Sequence, residues 1–232
     1  HKDESQKMLV RSLLIAEFLI SSSLAQSALA ELPQFIPVDV PNHVYDGGWE
    51  HFVGGGVAVF DCNGDLKPDL VAAGGTNLPI LLRNTSRVAG EVSFVAATPK
   101  NLDLKGTTGV YPIDANNDGL LDLMVLRVGS DILLHGAGDC TFSPAPLEIG
   151  DHWSTAFSAT WEASQIKPTF AFGHYVDQAN AEGPFEACDT NIIMRPTTPG
   201  YSLIKLNPGY CALSMLFTDW ARKGSADLRI SN

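Results

Sequence analysis

The chain has 232 residues, of which 45% are hydrophobic, and a formal net charge of −11. That length and apolar fraction suit a globular protein with a substantial core. The acidic balance excludes nucleic acid as a partner class, because a phosphate backbone demands a basic footprint.

Residues 1–30 read as an upstream stretch followed by an export signal. His1 to Lys7 precede Met8, and Met8-Leu9-Val10-Arg11 supplies a short basic start. Leu13 to Leu24 is an apolar stretch with Glu17 as a blemish inside it, and Ser27-Ala28-Leu29-Ala30 is a small-residue cleavage site before Glu31. An amphipathic N-terminal helix is the alternative. The run is too short and too polar for a stable membrane span, so a secreted or periplasmic protein is expected. Export permits disulfides among Cys62, Cys140, Cys188 and Cys211. The spacing leaves all three pairings open and favours Cys188 with Cys211, which bracket one short strand–turn segment. No CxxC spacing is present, which disfavours a zinc site.

A lead-in segment occupies 31–47, and 48–232 carries the repeated pattern. Gly56-Val57-Ala58-Val59-Phe60 and Leu70-Val71-Ala72-Ala73 are short apolar runs bounded by turn residues, as strands are. Between them lies Asp61-Cys62-Asn63-Gly64-Asp65-Leu66-Lys67-Pro68-Asp69. A second loop, Asp114-Ala115-Asn116-Asn117-Asp118-Gly119-Leu120-Leu121-Asp122, repeats the spacing. Both place oxygen side chains at positions 1, 3, 5 and 9 and leave through Asp-Leu. Calcium takes roughly six to eight hard oxygen ligands in a flexible cage, and clustered carboxylates repel one another until a cation neutralises them. Two structural Ca2+ sites are therefore expected. The first would use Asp61, Asn63, Asp65 and Asp69 with the backbone carbonyl of Lys67; the second would use Asp114, Asn116, Asp118 and Asp122 with that of Leu120. A helical EF-hand is disfavoured, since it needs Gly at position 6 and Glu at position 12. Leu66 and Gly119 occupy the first of these, Ala72 and Val125 the second. The plainer reading is a polar turn held by Asx hydrogen bonds.

Two weaker copies follow. Thr169-Phe170-Ala171-Phe172-Gly173-His174-Tyr175-Val176-Asp177 reads as the strand entering a loop, and Asn191 to Pro196 as a later one. Asp219 to Asp227 keeps the opening Asp and the closing Asp-Leu, but Lys223 puts a cation where the metal would sit. Ile80 to Asn84 and Ile132 to Gly136 also echo each other, each followed by an aromatic, Phe94 and Phe142. Units of about fifty residues with several short strands are the signature of β-propeller blades. The expected fold is all-β, with units at 48–99, 100–150, 151–208 and an incomplete 209–232. A β-sandwich is the rival architecture, but it does not account for acidic loops recurring once per unit.

These phrases resemble the FG-GAP (VCBS) repeats of integrin-type β-propellers, and more narrowly the secreted cartilage acidic protein/UnbV (ASPIC) family. The carriers are Gly48 to Asp61, Val125 to Gly129 and Cys211 to Trp220, and the resemblance spans Phe35 to Asn232. It implies an extracellular calcium-binding propeller used in adhesion or ligand binding, without established catalysis. Its partner would be an extracellular protein or glycan. The chain stops short of the family's remaining blades, which implies an N-terminal fragment of a longer product.

The alternative is a propeller-type hydrolase or lyase acting on an extracellular polymer. His1, His43, His51, His135, His152 and His174 form no HExxH pattern, and no Gly-x-Ser-x-Gly elbow or P-loop occurs. Trp49-Glu50-His51 and Asp151-His152-Trp153, with Trp161 nearby, are the only constellations of interest. Each is read first as strand lead-in or core cover. Asn84-Thr85-Ser86 matches a glycosylation sequon.

Overall fold

Alternating and doubly apolar segments of this sequence become fourteen strands in the computed structural model, which describes residues 32–145, 147–181 and 187–232. The expected export signal lies outside the described residues. Two units divide the chain, His1–Pro37 and Val38–Asn232. In the first, residues 32–37 are exposed and carry no regular structure. All strands belong to the second.

Strands β1 (Val57–Phe60), β2 (Asp69–Ala72), β3 (Ile80–Asn84) and β4 (Phe94–Ala96) form an antiparallel four-stranded meander. Next come β5 (Thr107–Ile113), β6 (Asp122–Ser130), β7 (Ile132–Gly136) and β8 (Phe142–Ala145), again each paired with its sequence neighbour. A third meander contains β9 (Asp151–Thr160), β10 (Thr169–His174), β11 (Asn191–Pro196) and β12 (Tyr201–Leu206). Finally β13 (Ser214–Thr218) pairs with β14 (Asp227–Ser231). The first strands of successive units lie side by side, β1 against β5, β5 against β9 and β9 against β13. The fold is an all-β repeat.

Period-two alternation decides how the units stack. On β6, Leu123 and Val125 join Phe60, Val71 and Leu81 of the first unit. Met124 and Leu126, pointing the other way, join Phe157, Phe170, Phe172 and Ile192 of the third. Strand β10 repeats the arrangement: Phe170 and Phe172 face the second unit while Ala171 meets Met215 of β13. Such strands read as continuous apolar runs because both their faces are covered. Beyond Arg127, β6 leaves its own meander and pairs Val128–Ser130 with Asp151–Trp153, so the second and third units share an eight-stranded sheet.

Further ties hold the first unit to the second. Gly55 and Gly56 donate to the Thr108 carbonyl, and Cys62 is disulfide-bonded to Cys140 in the β7–β8 turn. The second disulfide is the favoured Cys188–Cys211 pair. The lead-in from Val38 to Gly47 is pinned to the β2–β3 turn: Asp46 bridges Gly75 in parallel, and Asn77 Nδ2 donates to the Val44 carbonyl at 3.0 Å.

The third unit differs from expectation in register. Thr169–His174 is the second strand of its meander rather than the strand that enters the loop. The entering strand is β9, and the connecting turn runs from Trp161 through Lys167-Pro168 to Thr169, in step with Lys67-Pro68-Asp69. It retains no acidic anchor at its first, third, fifth or ninth position, so the acidic spacing gave no signal there.

Because Phe172 is fully buried between two units, Phe172→Ala is expected to cost about 3–5 kcal/mol. Urea unfolding of the variant should show a lower midpoint in one transition; separate loss of the third unit alone would contradict a shared core.

Candidate functional site

The two acidic loops share one backbone. Positions 4 and 6 are left-handed in both, at Gly64 and Leu66 in the first and Asn117 and Gly119 in the second. Leu66, at φ 64°, accepts a strain of about 1–2 kcal/mol that glycine avoids. What holds the turn is the Asp at position 1. Asp61 Oδ2 accepts the Leu66 N–H at 2.7 Å, while its Oδ1 accepts those of Gly64 at 2.8 Å and Asn63 and Asp65 at 3.2 Å. Asp114 takes the N–H groups of Asp118 at 3.2 Å and Gly119 at 3.0 Å. Position 3 converges on the same donor, since Asn63 and Asn116 each accept the position-5 N–H. Burial works upward on the Asp61 carboxyl, but its four backbone hydrogen bonds outweigh it and hold the group below the ordinary range. Asp118 is likewise held low, by the Leu120 N–H first and then the Asn116 amide.

Position 9 does something else. Asp69 is fully buried, with Oδ2 accepting the Cys62 N–H at 3.0 Å and Oδ1 the Asn84 N–H at 2.8 Å. Asp122 is also fully buried and takes Ala115 N–H at 3.0 Å and Gly136 N–H at 2.8 Å, with His135 Nδ1 at 3.1 Å. Each carboxylate thus clamps loop, second strand and third strand together. A Cβ at Gly136 would sit 2.2 Å from the Leu121 carbonyl, so only glycine fits against the second clamp. The structure therefore gathers positions 1, 3 and 5 on a half-buried to exposed rim and sets position 9 in the buried layer. In the first loop the Lys67 ammonium lies 3.7 Å from Asp65, partly neutralising position 5. Both loops line one cavity of about 300 Å³.

The fourth copy keeps the turn without the donors. Asp219 accepts Lys223 N–H and Gly224 N–H, both at 2.7 Å, with Arg222 and Gly224 left-handed as before. Asp227 at its ninth position is exposed. Asn84 of the sequon is buried in the folded chain, with its Nδ2 donating to the Pro68 carbonyl at 2.9 Å.

The two histidine-bearing constellations meet at the other end of the strands. Asp122 opens β6 at the loops and Ser130 closes it where it pairs with Asp151. There Trp49 packs edge-on against Trp153, 5.1 Å between centroids, and both contact Tyr175. Trp161 lies beyond the far end of β9 and takes no part. His51 is buried beside Glu50, at 3.9 Å. His152 Nδ1 stands 2.7 Å from Asp189 Oδ2 and its Nε2 2.9 Å from the Ile149 carbonyl. Both partners only accept, so the ring satisfies them fully as imidazolium. Burial opposes that charge, but the Asp189 carboxylate outweighs it and raises the His152 pKa. The His174 ring stacks on it at 3.9 Å and 4°. Burial, with the His152 charge, pushes His174 down to about 4. In-plane lone pairs of two parallel rings do not converge on one point, so this trio is an ion pair covered by a neutral ring rather than a metal centre. The Cys62, Asp69 and Cys140 group offers no thiolate, its sulfurs being joined. Nearby, burial pushes Asp131 up to about 7 against the pull of the Arg127 N–H and the His152 charge. Sequence reasoning missed His174, Asp189 and Asp131 as a group, because strand pairing and the Cys188–Cys211 crosslink bring them together and no local spacing marks them.

Residues 61–125 match the family model described as FG-GAP-like repeat. The chain thus carries an FG-GAP-like repeat within an all-β repeat fold. The matched stretch takes in both acidic loops and the strands between them, β2 to β5. No curated protein matches the chain. Among the described residues no helix is long and apolar enough to cross a membrane, which says nothing of strands. The two disulfides are compatible with an extracellular FG-GAP-like protein.

Asp69→Ala leaves two buried N–H groups unpaired and is expected to cost about 2–5 kcal/mol. Urea unfolding in chelator checks it; a loss seen only with calcium present would refute the clamp. A second expectation concerns pH. Between about 4 and 7 folded Asp131 keeps a proton that the unfolded chain has lost, so this group's contribution to stability falls as pH rises through that window. Asp131→Asn should therefore gain in melting temperature, relative to the parent, between pH 5 and pH 7.5, measured by calorimetry at both values.

Proposed function

We propose that the protein is an exported calcium-binding β-propeller repeat protein, an extracellular adhesion or ligand-binding module of the cartilage acidic protein/UnbV kind. The observation that carries this reading is the rim of positions 1, 3 and 5, built identically in both loops from hard oxygen donors. In the first, Asp61, Asn63, Asp65 and the Lys67 carbonyl would hold the ion; in the second, Asp114, Asn116, Asp118 and the Leu120 carbonyl. Asp69 and Asp122 serve first as clamps, and their remaining lone pairs are available to an ion seated above them. Calcium supplies charge neutralisation for carboxylates that otherwise repel. The chain's own residues do the rest: position 1 fixes the turn, position 9 ties it to the sheet, and the glycine-compatible backbone lets the donors converge.

A binding module is favoured over a polymer-cleaving hydrolase or lyase by the state of the histidines. His152 has both ring nitrogens engaged, His51 is buried, and Asp151 is bonded to Ser130. These groups do not share a cleft with a free general base. The narrower family likeness rests on Gly48 to Asp61, Val125 to Gly129 and Cys211 to Trp220, and export rests on the N-terminal pattern.

With a dissociation constant near 10⁻⁴ M, about 1 mM calcium would add roughly 1.4 kcal/mol per site. Thermal unfolding with calcium and with chelator should show that gain as a raised midpoint. Asp65→Ala combined with Asp118→Ala should abolish the shift while leaving the chelator midpoint nearly unchanged. An identical melt in both conditions would remove calcium from the reading.

A further inference from the structure

The end of the sheets remote from the acidic loops holds a second acidic feature, built from different material. A cavity of about 250 Å³ is lined by Trp49, Glu50, Trp153, Val176, Asp177 and Gln178 among others. Trp49 is half-exposed although two rings pack against it at steep angles, Trp153 at 5.1 Å and Tyr175 at 6.3 Å. An indole held this way is a rigid platform that loses little freedom on binding. Trp153 in the cavity wall is almost fully buried, and its Nε1–H has no hydrogen-bond partner. A donor of this kind calls for an acceptor, which an ammonium or guanidinium lacks, so it marks no contact with a cationic head.

Charge decides what the cavity would take. Two carboxylates, Glu50 and Asp177, border it. The segments that build it contain no lysine or arginine, none occurring between Arg11 and Lys67 or between Lys167 and Arg195. Asp177 has one oxygen committed, Oδ1 accepting the Ala179 N–H at 2.9 Å, and Glu50 lies 3.9 Å from a ring nitrogen of buried His51. Indole faces attract cations more strongly than other aromatic rings do. The volume is below the roughly 300–1,000 Å³ of drug-sized ligand sites, which suits a single ammonium or guanidinium head better than an oligosaccharide.

We propose that this cavity binds an organic cation, an ammonium or guanidinium group seated on the Trp49 face between Glu50 and Asp177. The proposal deepens the ligand-binding reading above by naming the chemical class of ligand, and it does not depend on calcium. The cation could be a free quaternary amine or the basic side chain of a partner protein; the recognition chemistry is shared.

The test is an NMR titration of the full chain, at low ionic strength and constant calcium, following the indole N–H signals. The probes are choline, Nα-acetyl-arginine methylamide and 3,3-dimethylbutan-1-ol, a neutral isostere of choline. At least one cation should shift the Trp49 and Trp153 signals saturably and leave Trp220, already covered by Arg229 at 4.2 Å, unmoved. The tighter of the two cations identifies the source. Binding should weaken at least about tenfold in Trp49→Ala and in Glu50→Gln plus Asp177→Asn, a pair of conservative changes that keeps the Ala179 hydrogen bond. The neutral isostere should bind at least about tenfold more weakly than choline. Equal binding of the isostere, unchanged affinity in both variants, or saturation by a neutral oligosaccharide but by neither cation would overturn the proposal. The calcium-dependent melt is read separately, so failure here leaves that result intact.

Discussion

A buried carboxylate that accepts one backbone N–H from its own turn and one from the third strand is the constraint on which the first two units depend. A nine-residue turn between adjacent strands presents a run of N–H groups that no ladder partner reaches, and leaving them unpaired would cost more than most single contacts return. Asp61 and Asp114 satisfy the tip of the turn, and Asp69 and Asp122 its base. The same carboxylates that make the loops look like ion cages therefore make them stable turns. These roles are compatible, since a carboxylate has more lone pairs than the turn uses. The fourth copy separates them: Asp219 still shapes the turn beside Lys223, where a cation replaces a donor.

Once the turns are fixed, the strands they join have little choice of register. A one-residue slip on β6 would exchange the residues facing the first unit with those facing the third. Both sets are apolar, so hydrophobicity alone would tolerate that exchange. Asp122 prevents it, because its carboxylate reaches Ala115 and Gly136 only in the observed register. The polar clamp thus supplies specificity to a strand whose two faces are otherwise interchangeable in character.

Charge is distributed unevenly along this scaffold. Acid at the loop end is divided between accessible turn positions and the buried clamps Asp69 and Asp122, all arranged around backbone N–H groups. At the other end it is split between half-buried groups matched to histidine, as in Asp189 with His152, and groups that border a cavity without lysine or arginine in its lining. Neutral His174 separates the imidazolium from the core by stacking, which keeps the ion pair at the junction between the second and third units.

Local order was legible in the residues themselves. The all-β class, the two acidic turns and the degenerate fourth follow from spacing and period, because turn chemistry and strand alternation are local properties. Lys67-Pro68-Asp69 and Lys167-Pro168-Thr169 show where local reading ran out: without acids the third turn carried no signal, and β10 was placed one strand early. The division between solvent-accessible positions 1, 3 and 5 and buried position 9 needed the third strand, whose N–H groups come from Asn84 and Gly136 far along the chain. The meeting of Trp49 with Trp153, and of His152 with His174 and Asp189, needed the stacking of whole units. Spacing fixes which groups can share a turn; only the packed sheets decide which of them lose their water, and burial determines whether a carboxylate serves as a clamp, an ion partner or a free acid.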